Sequence, residues 1–265
     1  MTSLNVWRII AVTALAHSAT NVHASQLWGV DSGSRPAIEV VPIDVNTGAT
    51  SPAVPIATPQ TAGSDDFASD PLRQPNLIWL VRWNINGSRL VAFDPFAEQL
   101  VANVLLDSPS RMHSLAIDPT NGMFYGATTT DLYVINKNTG VTKHVGPTTT
   151  SIAKALGFDA VGNLFGVSGT NDFVSVNTLT GATTTIAQLG IENFEDLATD
   201  PDTNLLYGLT GSRLYQIDPT SGGTTLIGDS VRRSAGLAFT DVPEPTATTL
   251  ALLLALATAA RRDTR

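Results

Sequence analysis

The sequence predicts an all-β fold: a five-bladed β-propeller of four-stranded blades, its ring closed by the C-terminal strand, with a signal peptide before it and a short hydrophobic helix after it. Three recurring anchors predict it. The first is a short apolar segment ending in Asp, found as Leu115-Ala116-Ile117-Asp118, Leu156-Gly157-Phe158-Asp159 and Leu197-Ala198-Thr199-Asp200 at spacings of 41 and 41 residues. Leu237-Ala238-Phe239-Thr240 follows 40 residues later, and Phe67-Ala68-Ser69-Asp70 precedes the first by 48. The second is an aromatic ahead of a turn (Trp28, Trp79, Tyr125, Phe165, Tyr207), and the third is an apolar residue followed by Asp or Asn (Asp44, Asp94, Asn136, Asn177, Asp218). A period near 40 residues with four strands per unit marks a propeller blade.

Turn chemistry places the strands within a unit. In the third, Ser114–Ile117 reads as strand A, Met123–Ala127 as B, Leu132–Asn136 as C and Val141–Val145 as D. The A to B connection holds Asp118-Pro119 and Asn121-Gly122, and the C to D connection Asn138-Thr139-Gly140. Asp-Pro starts a turn by fixing φ, and Asn-Gly supplies positive φ. Strand C is apolar on both faces, as a blade between two neighbours requires. Asp70, Asp118, Asp159 and Asp200 read as turn formers rather than ligands, since a carboxylate there bonds its own backbone two residues on. The body begins with a strand B (Leu27 to Val30) and ends with a strand A (Gly236 to Thr240), so the last strand is expected to complete the first blade. Such a swap removes the open ends that a linear repeat would have to cap.

Composition narrows the function classes. The chain has 265 residues, of which 14% are charged, and no cysteine, which excludes disulfides, thiolate metal sites and a cysteine nucleophile. Residues 1–24 hold one base and 243–265 three bases and two acids, so of 15 bases and 23 acids the body keeps 11 and 21, a net charge of −10. A surface this acidic repels phosphate, and no nucleic acid is expected as a partner.

Both ends read as processing signals. Arg8, the apolar run Ile9 to Ala16 and then Val22-His23-Ala24 have the order of a signal peptide cleaved after Ala24 by signal peptidase. Thr246 to Ala260 carries no charge and precedes Arg261-Arg262. As a helix its 15 residues would span about 22 Å, short of the ~30 Å hydrocarbon core. The arginines would stay cytoplasmic, leaving the body on the outer side. Val242-Pro243-Glu244-Pro245, the apolar segment and the arginine cluster resemble the PEP-CTERM sorting signal of Gram-negative bacteria, with Asp263 departing from the pattern inside the basic cluster. The chain thus reads as three segments: signal peptide 1–24, propeller 25–241 and, from the resemblance, sorting signal 242–265. The resemblance also implies processing by an exosortase after transient residence in the inner membrane through residues 246–260, then a cell-surface or extracellular location in an organism that makes exopolysaccharide and biofilm. The repeat phrase of residues 65–240, "LAIDP..G.FYG......LYVIN..TG", resembles bacterial propeller-like repeats of unknown function, which speaks for the fold alone.

Function in a propeller is expected on the face of the D to A and B to C loops, where residues differ between blades. The D to A loops bring Arg111 and His113, Lys154, the acidic Glu192, Glu195 and Asp196, and Arg232 with Arg233. The B to C loops bring Trp83, Asn84 and Asn86, then Asp131, Asn171 with Asp172, and Arg213. Amides, charges and a tryptophan suit a sugar or another oxygen-rich ligand. No catalytic motif, cofactor loop or histidine cluster is present, so the expected protein is a non-catalytic binder of exopolysaccharide, glycan or envelope protein. The rival reading is a glycan-active hydrolase pairing Glu195 or Asp196 with Asp131 or Asp172, which needs carboxylates about 5–10 Å apart. The run Asp65 to Asp70 lacks the spacing of a calcium loop.

Overall fold

The computed structural model describes residues 25–31, 37–57, 63–70, 73–84, 86–152, 155–229 and 234–243, with no helix among them. Blade 1 starts with β1 (Ser25–Asp31), β2 (Ala37–Ile43) and β3 (Val54–Ala57). Blade 2 is β4 (Gly63–Asp70), β5 (Gln74–Asn84), β6 (Gly87–Asp94) and β7 (Gln99–Leu105); blade 3 is β8 (Ser114–Ile117), β9 (Phe124–Ala127), β10 (Asp131–Ile135) and β11 (Thr142–Pro147). Blade 4 is β12 (Ala155–Phe158), β13 (Leu164–Val167), β14 (Asp172–Val176) and β15 (Thr183–Gln188); blade 5 is β16 (Phe194–Thr199), β17 (Leu206–Thr210), β18 (Arg213–Ile217) and β19 (Thr224–Gly228). The last strand, β20 (Ser234–Asp241), pairs antiparallel with β1, so the first sheet has the order β20-β1-β2-β3 and the ring closes as the sequence predicts. Strand bounds differ by a residue or two. Asn136 N–H bonds the Val141 carbonyl, so Val141 closes the turn and strand D starts at Thr142. The expected signal peptide and the C-terminal apolar run lie outside the described residues, among which no helix is long and apolar enough to cross a membrane.

The core lies between blades rather than within them. Trp79, Val81 and Leu90 of blade 2 pack with Leu115, Phe124 and Tyr133 of blade 3, and Leu209 and Leu214 of blade 5 with Leu27, Leu237 and Phe239 of blade 1. Five such clusters fill the five spaces around the ring. Every blade therefore needs apolar side chains on both faces, which is why strand C alternates poorly.

One register recurs in all sheets. The aromatic of each strand B stands opposite a small residue of strand A: Trp28 opposite Ala238, Trp79 opposite Ala68, Tyr125 opposite Ala116, Phe165 opposite Gly157 and Tyr207 opposite Ala198. The small residue lets a ring lie over the inner strand, and it lets inner strands approach each other. A Cβ on Gly157 would stand 2.9 Å from Leu197 Cβ of the next blade.

The Asp positions behave as turn formers. Asp118 Oδ1 accepts from Thr120 N at 2.8 Å, Asp159 Oδ1 from Val161 N at 3.1 Å and Asp200 Oδ1 from Asp202 N at 2.9 Å. The third anchor does the same between strands C and D, with Asp44, Asp94, Asn136, Asn177 and Asp218 each accepting from the N–H two residues on. Four residues beyond that anchor the chain turns left-handed, at Gly48, Gly140, Gly181 and Gly222 with φ of 69°, 76°, 77° and 70°. In blade 2 the residue there is Glu98, at φ 55°. Left-handed backbone costs a non-glycine residue about 1–2 kcal/mol, partly offset by the extra entropy glycine loses on folding. Glu98→Gly should thus stabilise the fold by about 0.5–1 kcal/mol, and a urea midpoint at or below wild type would contradict this account of the turn.

Candidate functional site

Antiparallel meanders put the A to B and C to D connections at one end of the ring and the B to C and D to A connections at the other. At the second end the structure joins two of the expected residues. Trp83, at the end of β5, is 39% exposed, and the Arg111 guanidinium from the loop between β7 and β8 lies over its ring at 5.2 Å. The loop is held from below, because the N–H of buried Met112 donates to Ser88 Oγ at 2.9 Å and that of His113 to the Ala127 carbonyl at 2.8 Å. A partly exposed indole with a guanidinium on its face is a stacking platform bearing a donor fork.

The other expected residues divide. Glu192 is exposed and Glu195 half-buried. Asp196 is fully buried: Oδ1 accepts from Leu197 N at 2.6 Å, and Oδ2 from Leu237 N at 2.7 Å and Phe67 N at 3.2 Å. One carboxylate thus links the inner strands of blades 5, 1 and 2 across the axis. The pairing of β16 with β17 slips between Phe194 and Asp196, and a bulge of this kind re-aims a side chain. Asn171, left-handed at φ 63°, accepts from Asn193 N at 3.2 Å and so ties the acidic loop to blade 4. Lys154, Arg232 and Arg233 lie outside the described residues, as do Ala24, Glu244, Pro245, Arg261 and Arg262; Val242 and Pro243 are described and exposed.

Asp131 and Asp172 occupy equivalent starts of strand C. Asp131 Oδ1 pairs with His144 Nε2 at 2.8 Å and Oδ2 accepts from Thr130 Oγ1, while Asp172 Oδ2 accepts from Thr170 Oγ1 at 2.6 Å. Thr130, then His144, holds the Asp131 carboxyl below its ordinary value. Ser221 does so for Asp218, Thr142 for Asp107, and the Asn46 backbone N–H for Asp44. A carboxyl whose folded value is depressed stabilises the fold above its unfolded value and loses that contribution as pH falls through the folded one. Stability should therefore decline below about pH 4. Equal urea midpoints at pH 5 and pH 3 would contradict these bonds.

The opposite end carries a feature the sequence reading passed over. A cavity of about 130 Å³ opens where the inner strands finish, lined by Ser69, Ile117, Phe158 and Thr199 with Pro119, Ala160 and Pro201 from the turns. The first four share one repeat position, just before the recurring Asp. It varies in side chain while its neighbours repeat, which is the mark it carries in the sequence. The space is well below the ~300–1,000 Å³ of ordinary ligand pockets. The acidic run at Asp65 to Asp70 belongs to β4 rather than to a loop, and among the described residues no group of three His, Asp or Glu could hold a metal ion.

No protein-family model matches the chain, and no curated protein does. Among solved structures, a chain of a nidogen/laminin complex superposes with a TM-score of 0.59 at 12% identity, covering 81% of this chain and 82% of that one. A structural-genomics protein of unknown function from Bacteroides thetaiotaomicron gives 0.45 at 13% identity, covering 76% and 64%. At these identities the first likeness shows the fold.

Proposed function

We propose that this chain is an exported, non-catalytic β-propeller of the cell surface or extracellular matrix, sorted by a C-terminal PEP-CTERM signal, that binds a glycan or protein partner. The observation that carries it is where the fold stops: β20, which closes the ring, ends at Asp241, and the described residues beyond it, Val242 and Pro243, are exposed and belong to no strand. A cut near Pro243, expected from the C-terminal motif alone, would thus leave every described strand whole, as would a cut after Ala24. Binding falls to the exposed face with Trp83 and Arg111, because the axial cavity is too small for a sugar chain. The nidogen/laminin structure supports a protein partner by analogy, being a complex of two proteins.

Intact mass and fractionation of the protein from its own cells test the proposal. The expected mass reflects cleavage after Ala24 and near Pro243, with the protein outside the inner membrane. Deleting Val242 to Arg265 should stop C-terminal processing and leave a folded propeller. An intact C-terminus held in the inner membrane would refute the sorting role.

A further inference from the structure

Ser25, in β1, makes two contacts with the turn between β16 and β17. Its backbone nitrogen lies 2.9 Å from Asp202 Oδ2, and its hydroxyl donates to Asp200 Oδ1 at 2.8 Å. Ser25 belongs to blade 1 and both carboxylates to blade 5, so the contacts span the seam where the two ends of the chain meet. Asp241 stands opposite Ser25 in the register of β1 and β20. Asp202 and Asp200 are thus the acids in contact with Ser25, with Asp241 on the paired strand. The Asp200 side is set in advance: the residue is buried, and the same Oδ1 accepts from Asp202 N at 2.9 Å.

In the uncut chain this nitrogen is an amide, with one N–H and no charge. Hydrolysis of the Ala24–Ser25 bond adds hydroxide to the Ala24 carbonyl carbon and a proton to the Ser25 nitrogen, which takes a second proton at neutral pH. The product is an α-ammonium with three N–H donors, placed beside the carboxylates of Asp202 and Asp200 on an acidic body. We infer that the Asp200–Asp202 turn is a receptor for the new N-terminus, so that removal of the signal peptide turns a neutral hydrogen bond into an ion pair fastening blade 1 to blade 5. Charge-assisted hydrogen bonds are roughly twice as strong as neutral ones, and β1 is the strand on which ring closure depends. The inference rests on cleavage after Ala24 as proposed above.

The sign of the pH dependence follows. An α-amine titrates ordinarily near 7.7–8.0, and neighbouring carboxylates favour its charged form, raising the folded value. Its contribution is fully present below about pH 7.7 and lost as pH rises through the folded value. Tyr207, also near this turn, is held above its ordinary value of 10 by burial and then by Asp200, so it titrates in a separate window.

The test uses mature protein from the full chain exported with its own signal. Intact mass gives the first residue; thermal unfolding is then followed from pH 6 to 9.5 for wild type and Asp202→Asn. The expected result is a chain beginning at Ser25, with a wild-type Tm advantage of about 2–4 °C at pH 6.5 that vanishes by pH 9.5. A second measurement needs no variant: acylation of the α-amine against pH, read on the N-terminal peptide, should give a higher pKa in the folded chain than in urea. A chain beginning elsewhere overturns the cleavage site and the receptor with it. A chain beginning at Ser25 with an unshifted amine and no pH-dependent difference from Asp202→Asn overturns the receptor alone.

Discussion

Asp196→Ala is expected to destabilise the propeller by about 2–6 kcal/mol, because it removes the carboxylate oxygen that the N–H groups of Phe67 and Leu237 share, at ~1–3 kcal/mol for each bond lost. The two groups lie on different blades, and the carboxylate reaches both through one oxygen. Asp196→Asn keeps an acceptor oxygen but loses the charge and gains two donors that compete for the same space, so it should fall between wild type and alanine. Urea unfolding of the three proteins measures the order. An unfolding free energy for Asp196→Ala within about 1 kcal/mol of wild type, on that same scale, would show that the axial bonds do not stabilise the ring. Exposed Glu192, two residues before Phe194 on the same loop, provides the control: Glu192→Ala should change stability by less than about 0.5 kcal/mol.

The second large effect is the loss of ring closure. A chain ending at residue 233 lacks β20, so β1 becomes an edge with unpaired backbone groups. Blade 1 then also loses Leu237 and Phe239 from its core with blade 5, and Trp28 Nε1 loses its bond to Thr240 Oγ1 at 2.8 Å. Such a chain should show no cooperative unfolding transition and should aggregate, whereas one ending at Asp241 should unfold like the intact propeller. Equal transitions for the two would mean that four blades and a partial fifth suffice.

The fold was largely legible because propeller blades repeat their local chemistry. Each Asp or Asn anchor makes its turn with its own neighbours, so its position in the sequence already states its role. The aromatic anchors were legible as repeats but not as partners: that Tyr125 meets Ala116 and Phe165 meets Gly157 is a matter of register. Trp83 and Arg111 were readable as loop residues that differ between blades, and their stacking required the loops themselves.

The acidic triplet divides along the same line. Glu192, Glu195 and Asp196 read alike in sequence, yet one is exposed, one half-buried and one fully buried among three inner strands. Sequence alone determined the period, the blade count and the turns, because those depend on interactions within a few residues or on a repeating pattern. Tertiary structure alone decided which carboxylate serves the axis, where the cavity opens, and that Ser25 meets Asp202. Those contacts join residues up to 177 positions apart, which only ring closure brings within hydrogen-bond distance.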